Sequence, residues 1–363
     1  MKKTLAILLA LTMLVALTAC GGNAPADDTA STTTTTTTTE ADVTTTTTTT
    51  EAVTDDTTTT EAVTDDTTVA PTEDTAVEPT TTTTKAPTTT TTTKAPTTTT
   101  TTVTYAPVPE SISILAVGNS FSVDAMRHHL YQMLQAAGYK NIRLGILYIG
   151  GASIDTHYEN VKFDRAKYQY QENVNGSWTY TEEYKASTAF ALTDWDYVTV
   201  QQVSNDSGRG PSYTNLDALM DLIQPQIGDA KVYWHMTWAY QQDSTHSGFA
   251  NYNKDQARMY RGIVSATKSK IVDNPDFVGI IPSGTSIQNL RTSALGDTLT
   301  ADGYHLKDTY GDYTAALTWF CMFSGRPATS MTYRPSEIAD YFDKIAESVD
   351  NAMATPFAIT ACK

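Results

Sequence analysis

Residues 107–363 of this 363-residue sequence predict an α/β fold: a three-layer α/β/α domain on an open parallel sheet of about five strands, carrying an inserted β-hairpin. Three observations lead there. Five short runs are apolar throughout rather than alternating, the pattern of strands covered on both faces. Helix-length stretches separate them, and strand–helix alternation marks a parallel sheet. One segment breaks the alternation with aromatics placed around an Asn-Gly pair.

Each element can be justified in chain order. The first strand is residues 113–117, ending in the small-residue turn Val117-Gly118-Asn119-Ser120. A helix over 123–137 follows, stopped by Gly138. The second strand, 142–149, runs into Gly150-Gly151-Ala152-Ser153. Residues 167–184, "KYQYQENVNGSWTYTEEY", then read as a hairpin about Asn175-Gly176 where a helix is expected. Its tyrosines and Trp178 either flank a binding site or pack on the scaffold. Strands at 197–202, 231–237 and 277–281 alternate with helices at 215–223, 252–272 and 309–323, and an amphipathic helix over 336–353 closes the chain.

What precedes the domain is of a different kind. Met1-Lys2-Lys3 and the apolar stretch Leu5 to Leu17 make a signal peptide over residues 1–19, too short for a comfortable membrane span. Its end, Leu17-Thr18-Ala19-Cys20-Gly21-Gly22, resembles the lipobox of bacterial lipoproteins, which implies acylation of Cys20. Several acyl chains, at about 0.8 kcal/mol per buried CH₂, would hold the protein to a membrane. Residues 20–106 are dominated by threonine with repeats such as "EAVTDDTT" and "KAPTTTTTT". They offer nothing to bury, so ordering entropy has no core to offset it, and they read as a disordered, lipid-anchored stalk. The expected location is extracytoplasmic, at the bacterial cell surface.

Charge and cysteines narrow the chemistry. The net charge of −16 is mostly stalk, which carries 13 acidic residues against two lysines, and the folded part has no basic patch to suggest nucleic acid. The pair Cys321 and Cys362 lacks a zinc-like spacing, and neither His-x-His nor His-Glu-x-x-His occurs, so no metal or cofactor is implied. A disulfide between the two cysteines and two free thiols are both compatible with an oxidising compartment.

Ligands of open α/β sheets gather at the carboxyl ends of the strands. Those ends deliver Asn119-Ser120, Gly151, Gln202 to Asp206, Thr237-Trp238 and Ser283. A serine needs a base, usually a histidine oriented by a carboxylate. Of six histidines, His305 stands apart because Asp302 precedes it by three residues in "ADGYHL", a spacing at which the acid can fold back on the ring. By itself that pair is a common surface arrangement.

The constellation resembles the SGNH/GDSL hydrolase superfamily. Gly118-Asn119-Ser120 is similar to its Gly-Asp-Ser block, Gly151 to its second-block glycine, and Asp302-Gly303-Tyr304-His305 to its Asp-x-x-His block. The nearest likeness is to an uncharacterised branch with Gly-Asn-Ser-Phe-Ser. The resemblance implies a flavodoxin-like, SGNH-hydrolase-like sheet, with Ser120 as nucleophile, His305 as base and Asp302 as its orienting acid. It implies an oxyanion hole from the N–H groups of Ser120 and Gly151 and an amide of the third block. That block departs from Gly-x-Asn-Asp, reading Val203-Ser204-Asn205-Asp206, so Asn205 and Gln202 both stand as the amide donor. Asn119, Thr237, Trp238 and Trp178 are candidate substrate contacts. Ser122 and Ser153 are expected to cap helices, and Asp124 to sit in a first helical turn, where its charge suits the dipole.

The expected function is a cell-surface serine esterase working through an acyl-enzyme, in particular a carbohydrate O-acetylesterase. Its partners would be an acylated carbohydrate or other small ester and, through Cys20 alone, the membrane. The alternative is a non-catalytic glycan-binding or adhesion module that keeps the fold.

Overall fold

The computed structural model describes residues 105–363. The signal peptide, Cys20 and nearly all of the stalk lie outside the described residues. The strands in chain order are β1 (Ser111–Gly118), β2 (Asn141–Tyr148), β3 (Tyr168–Val174), β4 (Ser177–Tyr184), β5 (Tyr197–Val200), β6 (Lys231–His235) and β7 (Gly279–Ile281). They form one seven-stranded sheet in the order β4-β3-β2-β1-β5-β6-β7. Five are parallel, in the flavodoxin-like arrangement β2-β1-β5-β6-β7, and β1 is buried from Ile112 onward, as a central strand should be.

The expected hairpin is present, but it does not stand off the scaffold. β3 pairs antiparallel with β2 from Arg143↔Val174 to Tyr148↔Gln169 and so extends the sheet, which accounts for seven strands rather than five. Tyr168 and Tyr170 face inward and are buried. The turn residues Asn175 and Gly176 have φ of 68° and 87°, both positive as a type I′ turn requires.

The helices are α1 (Ser120–Met126), α2 (Leu130–Ala137), α3 (Ile154–Lys162), α4 (Ala186–Phe190), α5 (Leu216–Ile223), α6 (Gln256–Lys270), α7 (Ser283–Leu290), α8 (Tyr310–Ser324), α9 (Ser336–Ala339) and α10 (Phe342–Ala354). Strand order reverses at β1. Right-handed crossovers therefore send α1 and α2 to one face and α3 to α6 to the other. The C-terminal helices α7, α8 and α10 join α1 and α2, and α8 is buried on nearly every side.

Two predicted helices are each split. The 123–137 stretch breaks at residues 127–129, where His129 turns inward to Asp308 O and Tyr333 Oη (both 3.3 Å) and His128 meets the Asp312 carboxyl. The 336–353 stretch divides into α9 and α10 around Asp340-Tyr341. Helix α7 carries no apolar period: all eight residues of "SGTSIQNL" are buried, and the polar ones are bonded, Ser286 to Thr318 Oγ1 (2.8 Å) and Asn289 Nδ2 to Ser348 O (3.1 Å). Cys321 and Cys362 are both free, and burial pushes the Cys321 thiol well up. Among the described residues no helix is long and apolar enough to cross a membrane.

Candidate active site

β1 ends at the point where strand order reverses, which opens a crevice at the carboxyl edge of the sheet. Asn119 caps α1: its Oδ1 accepts the N–H of Phe121 (3.0 Å), while Nδ2 donates to Ala152 O (3.0 Å) in the loop after β2. Ser120 is thereby the first residue of the helix. Ser122, expected as the cap, instead points inward and donates to Gln201 Oε1 (2.8 Å). A Cβ on Gly118 would run into that Ser122 hydroxyl, so glycine is required for the close approach.

Gln201 is the hub of a buried polar chain. Its Nε2 donates to Asn119 Oδ1 (2.7 Å), and its Oε1 also faces His235 Nδ1 (3.1 Å), whose Nε2 meets Ser283 Oγ (3.1 Å). Burial lowers the His235 pKa to about 3, so this ring is neutral, and the chain locks the turns after β1, β2, β5 and β7 together.

The second half of the site comes from the loop before α8. Asp302 Oδ1 accepts the N–H groups of Tyr304 (3.1 Å) and His305 (2.8 Å), folding the loop into a tight turn. Its Oδ2 lies 2.8 Å from His305 Nδ1, and His305 Nε2 lies 2.8 Å from Ser120 Oγ. An ionised carboxylate only accepts, so Nδ1 carries the proton and Nε2 is left to accept from the serine hydroxyl. Burial acts to raise the Asp302 carboxyl. The His305 N–H and ring and the Tyr304 N–H outweigh it and hold the group below the usual carboxylate range.

A cavity of about 260 Å³ opens over Ser120 and His305, lined by Gly151 and Asn205 and walled by Tyr148, His246 and Tyr304. Gly151 adopts φ +63°, a left-handed conformation in which glycine is unstrained, and a Cβ there would meet no protein atom. Among the described residues, neither the Ser120 N–H nor the Gly151 N–H has an acceptor, nor does the Asn205 side-chain amide. Asn205 O is pinned by Asn251 Nδ2 (3.0 Å) and Tyr252 Oη (3.1 Å), which holds the residue while leaving its amide to the cavity.

Other expected contacts are placed elsewhere. The Gln202 amide is buried and fully engaged: Oε1 accepts from Ile154 N (3.0 Å) and Val203 N (2.8 Å), and Nε2 donates to Ser212 O (2.8 Å). Asn119 borders the cavity, but its side chain is committed to the cap. Thr237 and Trp238 are buried behind the site. Trp238 stacks on Phe121 (centroids 4.3 Å apart) and donates to Tyr304 O (2.8 Å), so it braces the serine turn against the histidine loop. Trp178 donates to Arg127 O (2.8 Å) and packs against the core, away from the cavity. Ser153 does cap α3, accepting from Thr156 N (3.2 Å). Asp124 lies beyond the first turn of α1 and accepts the N–H of Leu306 (2.9 Å).

His246 and Tyr304 escape sequence reasoning as cavity walls, since each is a lone aromatic in a polar loop. The ring of His246 packs on Tyr304 (4.7 Å), and its Nδ1 accepts the N–H of Gly248 (3.0 Å).

A family model described as a domain of unknown function, DUF4886, matches residues 113–353. A crystal structure of a DUF4886 family protein from Bacteroides uniformis is similar at 39% identity and TM-score 0.66, covering 69% of this chain and 97% of that one. Two more distant likenesses are a protein from Slackia heliotrinireducens assigned provisionally to the SGNH hydrolases (16% identity, TM-score 0.38, 58% and 97% covered) and an acetylxylan esterase from Geobacillus stearothermophilus, in a catalytic mutant (10%, 0.34, 59% and 94%). No curated protein matches.

Proposed function

The chain belongs to the DUF4886 family, and from that premise we propose that it is a serine esterase of the SGNH type, acting on acetylated carbohydrate at the cell surface. One observation carries the reading: the unbroken relay Asp302 Oδ2, His305 Nδ1, His305 Nε2, Ser120 Oγ, with both contacts at 2.8 Å. Ser120 Oγ attacks the ester carbonyl and passes its proton to His305 Nε2. The imidazolium, held by the Asp302 carboxylate, gives that proton to the departing alkoxide as the ester C–O bond breaks. Water then attacks the acetyl carbonyl while the same nitrogen takes its proton; the bond to Ser120 Oγ breaks, acetate leaves, and the imidazolium returns the proton to Oγ.

The developing oxyanion would be met by the N–H groups of Ser120 and Gly151 and by Asn205 Nδ2, none of which has an acceptor among the described residues to give up first. A cavity of about 260 Å³ suits a short acyl group, and its tyrosine and histidine walls suit a polyol alcohol. The expected acyl anchor at Cys20 and stalk over residues 20–106 would carry the domain clear of the membrane.

Hydrolysis of an aryl acetate by the 107–363 fragment tests this. Ser120→Ala and His305→Ala should each abolish turnover with the thermal midpoint unchanged, and a chelator should have no effect. Full activity in Ser120→Ala would sink the mechanism, and no hydrolysis by the unaltered fragment would leave a glycan-binding module as the better reading.

A further inference from the structure

Asp124 and Ser120 share helix α1 at a spacing of four residues, one turn apart on the same face. The Asp124 carboxyl reaches across to the N–H of Leu306, the residue directly after the base. The loop bearing His305 is otherwise held at its base by the Thr300–Leu306 bridge and by Ala301 N to His305 O (2.8 Å), contacts that lie within the loop itself. Outside it, Trp238 grips Tyr304 O and Gln241 N grips Gly303 O (2.8 Å), but neither belongs to the nucleophile's helix.

We propose that Asp124 is a positioning residue, which clamps the His305 loop to the helix that presents Ser120 and tunes the base through its own ionisation. Tuning of the base rests on the esterase reading; the clamp does not.

The surroundings explain why a carboxyl at this place would titrate usefully. Burial raises the Asp124 pKa to about 8, the Asp312 carboxylate on α8 and Asp302 on the loop add to the rise, and the Leu306 N–H and Arg127, just past the end of α1, oppose it. Asp312 is itself raised to about 6 by burial and engaged by His128, with Asp308 and Arg127 nearby. At neutral pH Asp124 is therefore mostly the neutral acid, accepting from Leu306 through one oxygen. Above about pH 8 it becomes a carboxylate beside the loop. That change strengthens the N–H···O contact and favours the imidazolium form that His305 must adopt in the transition state.

Two variants and two readouts test the inference. Asp124→Asn keeps an oxygen for Leu306 and removes the titration; Asp124→Ala removes both. For aryl acetate hydrolysis, the wild-type pH profile of kcat/KM should rise through an inflection near pH 8 that is missing in Asp124→Asn. Asp124→Ala should lose on the order of 10²-fold in kcat with KM little changed. Independently of activity, in a Ser120→Ala background the Leu306 amide proton should shift with a midpoint near pH 8, and should not in Ser120→Ala/Asp124→Asn. An unchanged inflection in Asp124→Asn, or a Leu306 amide that ignores pH, would overturn the proposal. Undiminished turnover in Ser120→Ala would instead overturn the esterase reading and leave the amide titration as the measure of the clamp.

Discussion

At the scale of single residues, the choice between Asn205 and Gln202 turns on what each amide already holds. Gln202 satisfies two backbone N–H groups and a carbonyl, whereas the Asn205 amide has no partner among the described residues. Asn205→Ala should therefore lose 10²–10³-fold in kcat with little change in thermal midpoint. Gln202→Ala should lose stability, roughly 1–3 kcal/mol for the buried groups it orphans, before it loses chemistry. Chemical denaturation alongside steady-state kinetics separates the two. The sequence left both open because it displays residue types at a strand end but not which of them the fold has bonded. Ser122 and Asp124 were obscure for the same reason. A hydroxyl two places and a carboxyl four places after the serine look like helix-start residues, and only the turns brought in from β5 and the His305 loop give them other partners. Ser120, Asp302 and His305 were legible because their spacing and strand-end positions constrain them together.

At the scale of elements, the parallel strands could be read because strands buried on both faces are apolar throughout, and the hairpin because Asn175-Gly176 can take positive φ at both positions. What could not be read was where the hairpin goes. Its pairing with β2 is a long-range choice, and that choice turns Trp178 onto the start of the α1–α2 break rather than toward the cavity. Trp178→Phe should consequently cost about 1 kcal/mol from the lost indole hydrogen bond and leave KM for an acetylated oligosaccharide unchanged. A large KM increase would restore a substrate contact to the ribbon. Helix α7 was invisible because its buried face is polar and satisfied rather than apolar.

At the scale of the whole molecule, the fold holds two histidines that burial keeps neutral, His157 in α3 and His235 at the end of β6. Burial lowers His157 to about 4 and His235 to about 3. In the unfolded chain both would take a proton near their ordinary value of about 6.5. Between that pH and the native values the unfolded state binds more protons, so stability is intact above about 6.5 and falls steadily as the pH drops. For His235 alone the loss at pH 4 is on the order of 3 kcal/mol. Thermal midpoints measured from pH 7 down to 4 should decline accordingly, and a flat profile would contradict the buried network that ties the turns together. That network links the ends of five strands, β1, β2, β5, β6 and β7, so acid should loosen the site and the fold in one transition.

The relay requires that Ser120 become acylated during turnover. Acid-quenching the 107–363 fragment during rapid hydrolysis of an aryl acetate, followed by peptide mass spectrometry, tests it most directly. An acetyl group on the peptide containing Ser120, absent in Ser120→Ala and accumulating when Asn205→Ala slows its release, is the expected result. Turnover with no acetyl on that peptide, or with the label on another residue, would contradict it.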